Sequence, residues 1–235
     1  MRPGPCEAFY RHEARRGGAV LELACGTGRL SLPIAEDGHD VVGLDASREM
    51  LAAAARKAAG TGLALSFVQG DMRDFELRRR FGVIIISCNS LAHLTALEDL
   101  RACLTAVRRH LAPGGVLAFD VVRPDLRLLS RPADAALRLD LGPNPASAIE
   151  AEERATYDPV GQVRVSQWRV QQAGLGERFM APLVLRQFFP QELPLLLEAG
   201  GLELVARYGD FARNPLTADS LNQICIARAR DGGAA

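Results

Sequence analysis

The sequence has almost no lysine, no paired cysteines and no long apolar run, and each absence narrows what the chain can be. Lys57 is the only lysine in a chain whose 28 basic residues are balanced by 28 acidic ones. No net field therefore draws the protein toward nucleic acid or an anionic membrane, and the run Arg78 to Arg80 reads as a solvated loop. The five cysteines, Cys6, Cys25, Cys88, Cys103 and Cys225, are odd in number and form no CxxC pair, which points away from a disulfide framework and a zinc site. The opening MRPGPCEAFYRHEARR lacks the apolar core of a signal peptide, and no later run is long enough to span a bilayer, so a cytoplasmic setting is expected. At 235 residues and 48% hydrophobic content, the chain can build one sizeable core, and a single domain over 1–235 is expected.

What is present centres on VLELACGTGRL, from Val20 to Leu30. The apolar run Ala19, Val20, Leu21, Leu23 suits a strand buried on both faces of a parallel sheet. Gly26 and Gly28 then mark a tight reversal where bare backbone can approach a ligand, and a helix through Ala35 turns its free N–H groups back toward that turn. Two glycines alone also suit a turn with no ligand, so the rest of the chain decides.

The elements that follow repeat the same rhythm. A short helix over Glu7 to Arg16, carrying Phe9 and Tyr10, precedes the first strand. HDVVGLDAS reads as a second buried strand ending at Asp45, which is placed to take hydrogen bonds from ribose hydroxyls, while Ser47 caps the alanine-rich helix beyond it. A third strand, Leu63 to Val68, leads to Gly70, Asp71 and Met72; an acid beside an apolar side chain suits an adenine amine and ring. Val83 to Ile86 is a central strand ending in Ser87, Cys88, Asn89 and Ser90. Ligands of open α/β sheets sit at the carboxyl ends of the strands, so Asn89, Ser90 and His93 are the first candidates to stand near a reacting group. A helix over Leu97 to Leu111 stops at APGG before the strand VLAFDVV.

Beyond Arg123 the alternation changes. PDLRLLSRPADAALRLDLGPNPAS reads as loop, and RATYDPVGQVRVSQWRVQ as a hairpin turning at Asp158, Pro159 and Gly161. The expected division is a cofactor-binding core over 1–122, a loop and hairpin insertion over 123–188, and a closing helix and strands over 189–230. Tyr157, Arg164, Trp168, Arg169, Phe179 and Arg186 either shape an acceptor pocket or pack a sheet, and the imperfect alternation in RVSQWRV leaves open which face is buried. The same hairpin is a candidate homodimer contact.

The ELACGTGR turn, LDAS, GDM, SCNSLAHL and LAPGG, in this order, resemble the class I S-adenosylmethionine-dependent methyltransferases over nearly the whole chain. The resemblance implies a doubly wound, seven-stranded, mostly parallel Rossmann-like α/β sheet with an antiparallel last strand. NSLAHL with YGDF is similar, more loosely, to glycine and sarcosine N-methyltransferases and to N- and O-methyltransferases of small molecules. Carried across residue by residue, it implies that Glu22, Ala24, Gly26 and Gly28 line the methionine half of the cofactor, with Arg29 at its carboxylate. Asp45 with Ala46 would hold the ribose, Asp71 and Met72 the adenine, and Cys88 with Asn89 the floor near the sulfonium, Asn89 also facing the acceptor.

The implied reaction asks for alignment more than for proton transfer, since a sulfonium methyl is already electrophilic. A neutral amine acceptor needs no base; a hydroxyl benefits from one, and His93 is the histidine on the expected edge. Neither a metal nor nucleic acid is expected: the fourth strand lacks a [DNS]PP[YFW] run, and carboxylates are few at the strand tips. Two other readings compete. A nicotinamide oxidoreductase shares the GxG turn and the acid beyond it, but has a third glycine where this chain has Ser31. A cofactor-binding but idle partner subunit is the second, because only MRPGPCEA precedes Phe9, where relatives carry a further segment over the acceptor.

Overall fold

A computed structural model describes residues 4–140, 149–172 and 176–230. The end of the expected loop, 141–148, lies outside the described residues. The chain divides into two units, one of residues 1–91, 96–123 and 189–235, the other of residues 92–95 and 124–188.

The first unit begins with α1 (Pro5–Ala14), whose N1 proline fits the missing donor of a first helical turn. Then follow β1 (Val20–Leu23), α2 (Ser31–Glu36), β2 (Val41–Asp45), α3 (Arg48–Ala58), β3 (Leu65–Gln69), β4 (Phe81–Ile86), α4 (Leu97–His110) and β5 (Leu111–Val122). The unit closes with α6 (Leu193–Ala199), β11 (Leu202–Tyr208) and β12 (Asn222–Ala229). Its seven strands run β11-β12-β5-β4-β1-β2-β3, with β12 antiparallel to both neighbours and the four pairings from β5 to β3 parallel. This is the doubly wound, seven-stranded α/β sheet that the motif order implied.

Alternation along the strands explains why both faces are apolar. Val20, Val41, Val83, Ile85, Val116, Ala118, Ile224 and Ile226 share one cluster with Phe9, Tyr10 and Ala14 of α1 and Leu30, Ile34 and Ala35 around α2. The intervening set, Leu21, Leu23, Val42, Leu44, Ile84, Ile86, Leu117 and Phe119, is equally buried. The strand order also places the chain reversal between β1 and β4, so the ends of β1, β2, β4 and β5 form one edge where ligands of open sheets bind.

The second unit contains α5 (Leu126–Leu129), β6 (Leu137–Asp140), β7 (Ile149–Asp158), β8 (Val163–Gln172), β9 (Gly176–Phe179) and β10 (Leu183–Arg186). These strands form one antiparallel sheet in the order β10-β8-β7-β6, with β9 also on β8. β7 and β8 turn at Asp158, whose carboxylate accepts from the N–H groups of Val160 (2.9 Å) and Gly161 (3.0 Å). Around that pair the structure adds β6, within the stretch read as loop, and β9 and β10, to which the sequence reading assigned no element. The ambiguity of RVSQWRV also resolves: Trp168 and Val170 stand opposite Glu153 and Ala151, the buried residues of β7. Glu153 is buried because Arg164 meets both its oxygens at 2.9 Å.

Candidate functional site

The glycine turn after β1 is held from three sides. Within the turn, Cys25 N–H donates to Leu44 O and Gly28 N–H to Cys25 O, each at 3.0 Å. From β2, Asp45 Oδ2 accepts the Gly26 N–H at 2.7 Å. From α3, Lys57 Nζ donates to Thr27 O at 2.9 Å and to its hydroxyl at 2.8 Å, which gives the lone lysine a structural task that its sequence position did not suggest. The two glycines serve different ends. A Cβ on Gly28 would stand 3.2 Å from the Phe67 ring, so this residue is needed for packing, whereas one on Gly26 would meet nothing within 4 Å, and that side is open to a ligand.

Asp45 and Glu22 turn out to do different work. Asp45 Oδ1 accepts the Ser47 N–H at 2.9 Å, so its two oxygens tie the glycine turn to the start of α3 and each retains a lone pair toward the sheet edge. Ser47 caps α3 by accepting from Met50 N–H, and Ala46 is fixed by Gln69, which donates to its carbonyl at 3.2 Å. Glu22 is 2% exposed and lies under the turn rather than along it, accepting the Ser31 hydroxyl proton at 2.5 Å. Burial pushes its carboxyl up to about 7 against the opposing effect of Ser31. The serine in the third-glycine position is thus the partner of the motif's own acid.

At the β3 tip, Asp71 is engaged by Arg73, whose Nη2 lies 2.6 Å from Oδ2 and whose Nε lies 3.0 Å from both oxygens. That hydrogen bonding holds the Asp71 carboxyl below its ordinary range, and Arg73 reaches on to Asp99 at 3.2 Å. Met72, next in the chain, is half-buried.

The β4 tip is the most constrained part of the edge. Cys88 and Asn89 both adopt left-handed backbone, with φ of 57° and 60°. Asp120, from β5, holds this pair: Oδ1 accepts the Cys88 N–H at 2.9 Å and Oδ2 the Asn89 N–H at 3.0 Å. Tyr10 of α1 donates its hydroxyl to the same Oδ1 at 2.6 Å. Asn89 Oδ1 accepts from Val122 N–H at 3.0 Å, which fixes the amide so that its NH2 is the end left to meet a ligand. Arg29 is exposed and points its Nη2 at Cys88 Sγ, 2.7 Å away. His93 ends the 3-10 turn Ser90–His93 and is exposed; it is grouped with the second unit.

The structure therefore brings Ala24, Gly26, Arg29, Asp45, Cys88 and Asn89 to one edge of the first unit's sheet, with Asp71 at the neighbouring β3 tip. Sequence reading missed Tyr10, Ser31, Lys57 and Asp120. Only Asp120 carried a usable signal, an acid at the end of an otherwise apolar strand.

Residues 20–115 match a family model described as a methyltransferase domain. YqeM of Bacillus subtilis (strain 168) is 41% identical over 105 residues, which are 44% of this chain and 42% of that protein. A cypemycin N-terminal methyltransferase from Streptomyces sp is 29% identical over 215 residues, covering 92% of this chain and 84% of that one. Among solved structures, the CcbJ methyltransferase of Streptomyces caelestis superimposes with a TM-score of 0.83 at 28% identity, over 97% of this chain and 90% of that chain.

Proposed function

We propose that the protein, whose residues 20–115 match a methyltransferase-domain model, is an S-adenosylmethionine-dependent methyltransferase that transfers the sulfonium methyl group to an amine of a small-molecule acceptor. The donor would lie along the edge of the first unit. Gly26 leaves room for its methionine half, Arg29 meets its carboxylate, Asp45 offers lone pairs to the ribose, and Asp71 accepts the adenine amine. The cofactor supplies an electrophilic methyl carbon; the chain's own contribution is to hold donor and acceptor in line.

The observation that carries the amine reading is the state of the β4 and β5 tips. Asp120 is the buried carboxylate there, and its oxygens are already committed to Tyr10, Cys88 and Asn89. Asn89 presents an NH2, which can orient an acceptor but cannot take its proton. Such a tip suits a nucleophile that needs no deprotonation before attack, a neutral amine, and the cypemycin relative is named as an N-terminal methyltransferase. The test is a paired acceptor screen by methyl transfer from labelled donor: amines should be methylated and matched alcohols should not, and His93→Ala should leave amine turnover within about threefold. Turnover of alcohols that depends on His93 would move the proposal to O-methylation with His93 as base.

We further assign the whole chain to one methyltransferase domain with 123–188 as its loop and hairpin insertion, working in the cytoplasm. No described helix is long and apolar enough to cross a membrane. Phe179, the last residue of β9, and Met180 after it, 77% and 58% exposed, are the side chains we would place in a homodimer contact, and light scattering of Phe179→Glu against the wild type tests it.

A further inference from the structure

Cys6 and Cys88 are brought together by the fold although they belong to α1 and to the β4 tip. One guanidinium nitrogen, Arg29 Nη2, lies 2.7 Å from Cys88 Sγ and 3.7 Å from Cys6 Sγ, so the two sulfurs share one cationic partner. Cys88 is exposed, and Asp120 fixes its backbone in the left-handed conformation that turns it to this partner. The remaining cysteines, Cys25, Cys103 and Cys225, are all buried.

The chemistry of the pair is asymmetric. The neighbouring Cys6 thiol and the Arg29 charge lower the Cys88 thiol below its ordinary range. Cys6 is raised by the same neighbour and by burial. Burial pushes Cys103 and Cys225 up to about 12, so they stay protonated. A reactive thiolate beside a protonated second thiol is the arrangement of an attacking and a resolving cysteine.

We propose that Cys6 and Cys88 form a dithiol modification site that reacts with peroxides. Cys88 sulfur attacks one peroxide oxygen, breaking the O–O bond; the thiol becomes a sulfenic acid and, for hydrogen peroxide, the other oxygen leaves as water. Cys6 sulfur then attacks Cys88 sulfur, gives up its proton, and expels the sulfenic oxygen as a second water. Two thiols have lost two electrons and two hydrogens to form one disulfide, and one peroxide has been reduced. The new bond would draw both sulfurs away from Arg29 and pin α1 to the β4 tip. Its effect on cofactor binding rests on the methyltransferase reading above; the formation of the bond does not.

The experiment treats the reduced full-length protein, freed of reductant, with hydrogen peroxide and follows intact mass, non-reducing peptide maps and S-adenosylhomocysteine binding by calorimetry. Expected is the loss of two hydrogen masses, a cross-linked peptide joining Cys6 to Cys88, and cofactor-product affinity weakened about tenfold, the worth of one lost hydrogen bond to a charged group, with recovery on adding dithiothreitol. Cys6→Ser should bind normally when reduced, form no cross-link, and accumulate a dimedone-reactive sulfenic acid at Cys88. Peroxide that yields no cross-link, or cross-links through Cys25, Cys103 or Cys225, overturns the proposal. A Cys6 to Cys88 bond that leaves binding unchanged supports the dithiol site and instead overturns the placement of the cofactor at this corner.

Discussion

Tyr10 donates its hydroxyl hydrogen to Asp120, 2.6 Å away, and that one carboxylate also accepts the N–H groups of Cys88 and Asn89. The N-terminal helix and the left-handed tip of β4 therefore share an anchor on β5. Asp120→Asn keeps the shape but replaces one acceptor oxygen with a donor, leaving a buried N–H without a partner at a cost of about 1–3 kcal/mol. Thermal denaturation should show a drop of several degrees, and methyl transfer should fall more than product binding because Asn89 loses its setting. Tyr10→Phe removes one bond of three and should cost about 1 kcal/mol with turnover largely kept. Equal losses of turnover in the two variants would count against a positioning role specific to Asp120.

Glu22 makes stability depend on pH in an unusual direction. Its folded carboxyl titrates near 7, above the ordinary 4.5, because burial disfavours the charge. Between those values the folded state holds a proton that the unfolded state has released, so stability contributed at low pH is lost as pH rises through about 7. The fully developed effect is about 3 kcal/mol. Glu22→Gln keeps a partner for Ser31 and cannot ionise, so the melting temperature of the variant should match the wild type near pH 5 and exceed it at pH 8.5. A difference that does not grow with pH would show that Glu22 is not the titrating group.

Most of this architecture was legible in the sequence because it rests on local signals: apolar strands, acids at strand tips, and capping serines such as Ser47. Asp45 and the Cys88–Asn89 tip could be placed on one edge by topology alone. What could not be read is carried by pairs distant in sequence. Tyr10 to Asp120, Arg29 to Cys88 and Cys6, and Lys57 to Thr27 join different elements, and no periodicity records them. The strands β6, β9 and β10 were unreadable for a related reason: each is four residues long, too short for alternation to declare itself.

Asp71 and Arg73 offer a test of the adenine assignment. The arginine fork occupies the carboxylate in the free protein, so a ligand amine must share or displace it. Asp71→Ala should weaken S-adenosylhomocysteine binding about tenfold, while Arg73→Ala should bind at least as well as the wild type. Because the ion pair is nearly half exposed, either change should shift stability by less than about 1 kcal/mol. Weakened binding in Arg73→Ala would mean that the arginine itself contacts the ligand or preorganises the acid.

Ala24 carries strain that a single substitution can release. It stands between β1 and the glycine turn at φ 54°, a left-handed position that costs a residue with a Cβ about 1–2 kcal/mol. Ala24→Gly removes that cost, but glycine loses about 0.4–1 kcal/mol more conformational entropy on folding. The difference favours the variant by somewhat under about 1 kcal/mol, a rise of a few degrees in melting temperature for a chain of this size. Product binding should be unchanged, because the turn is held by Asp45 and Lys57 through neighbouring residues and not through the Ala24 methyl. A lower melting temperature would show that the methyl group contributes packing that outweighs the strain; weaker binding at equal stability would show that the methyl group touches the cofactor.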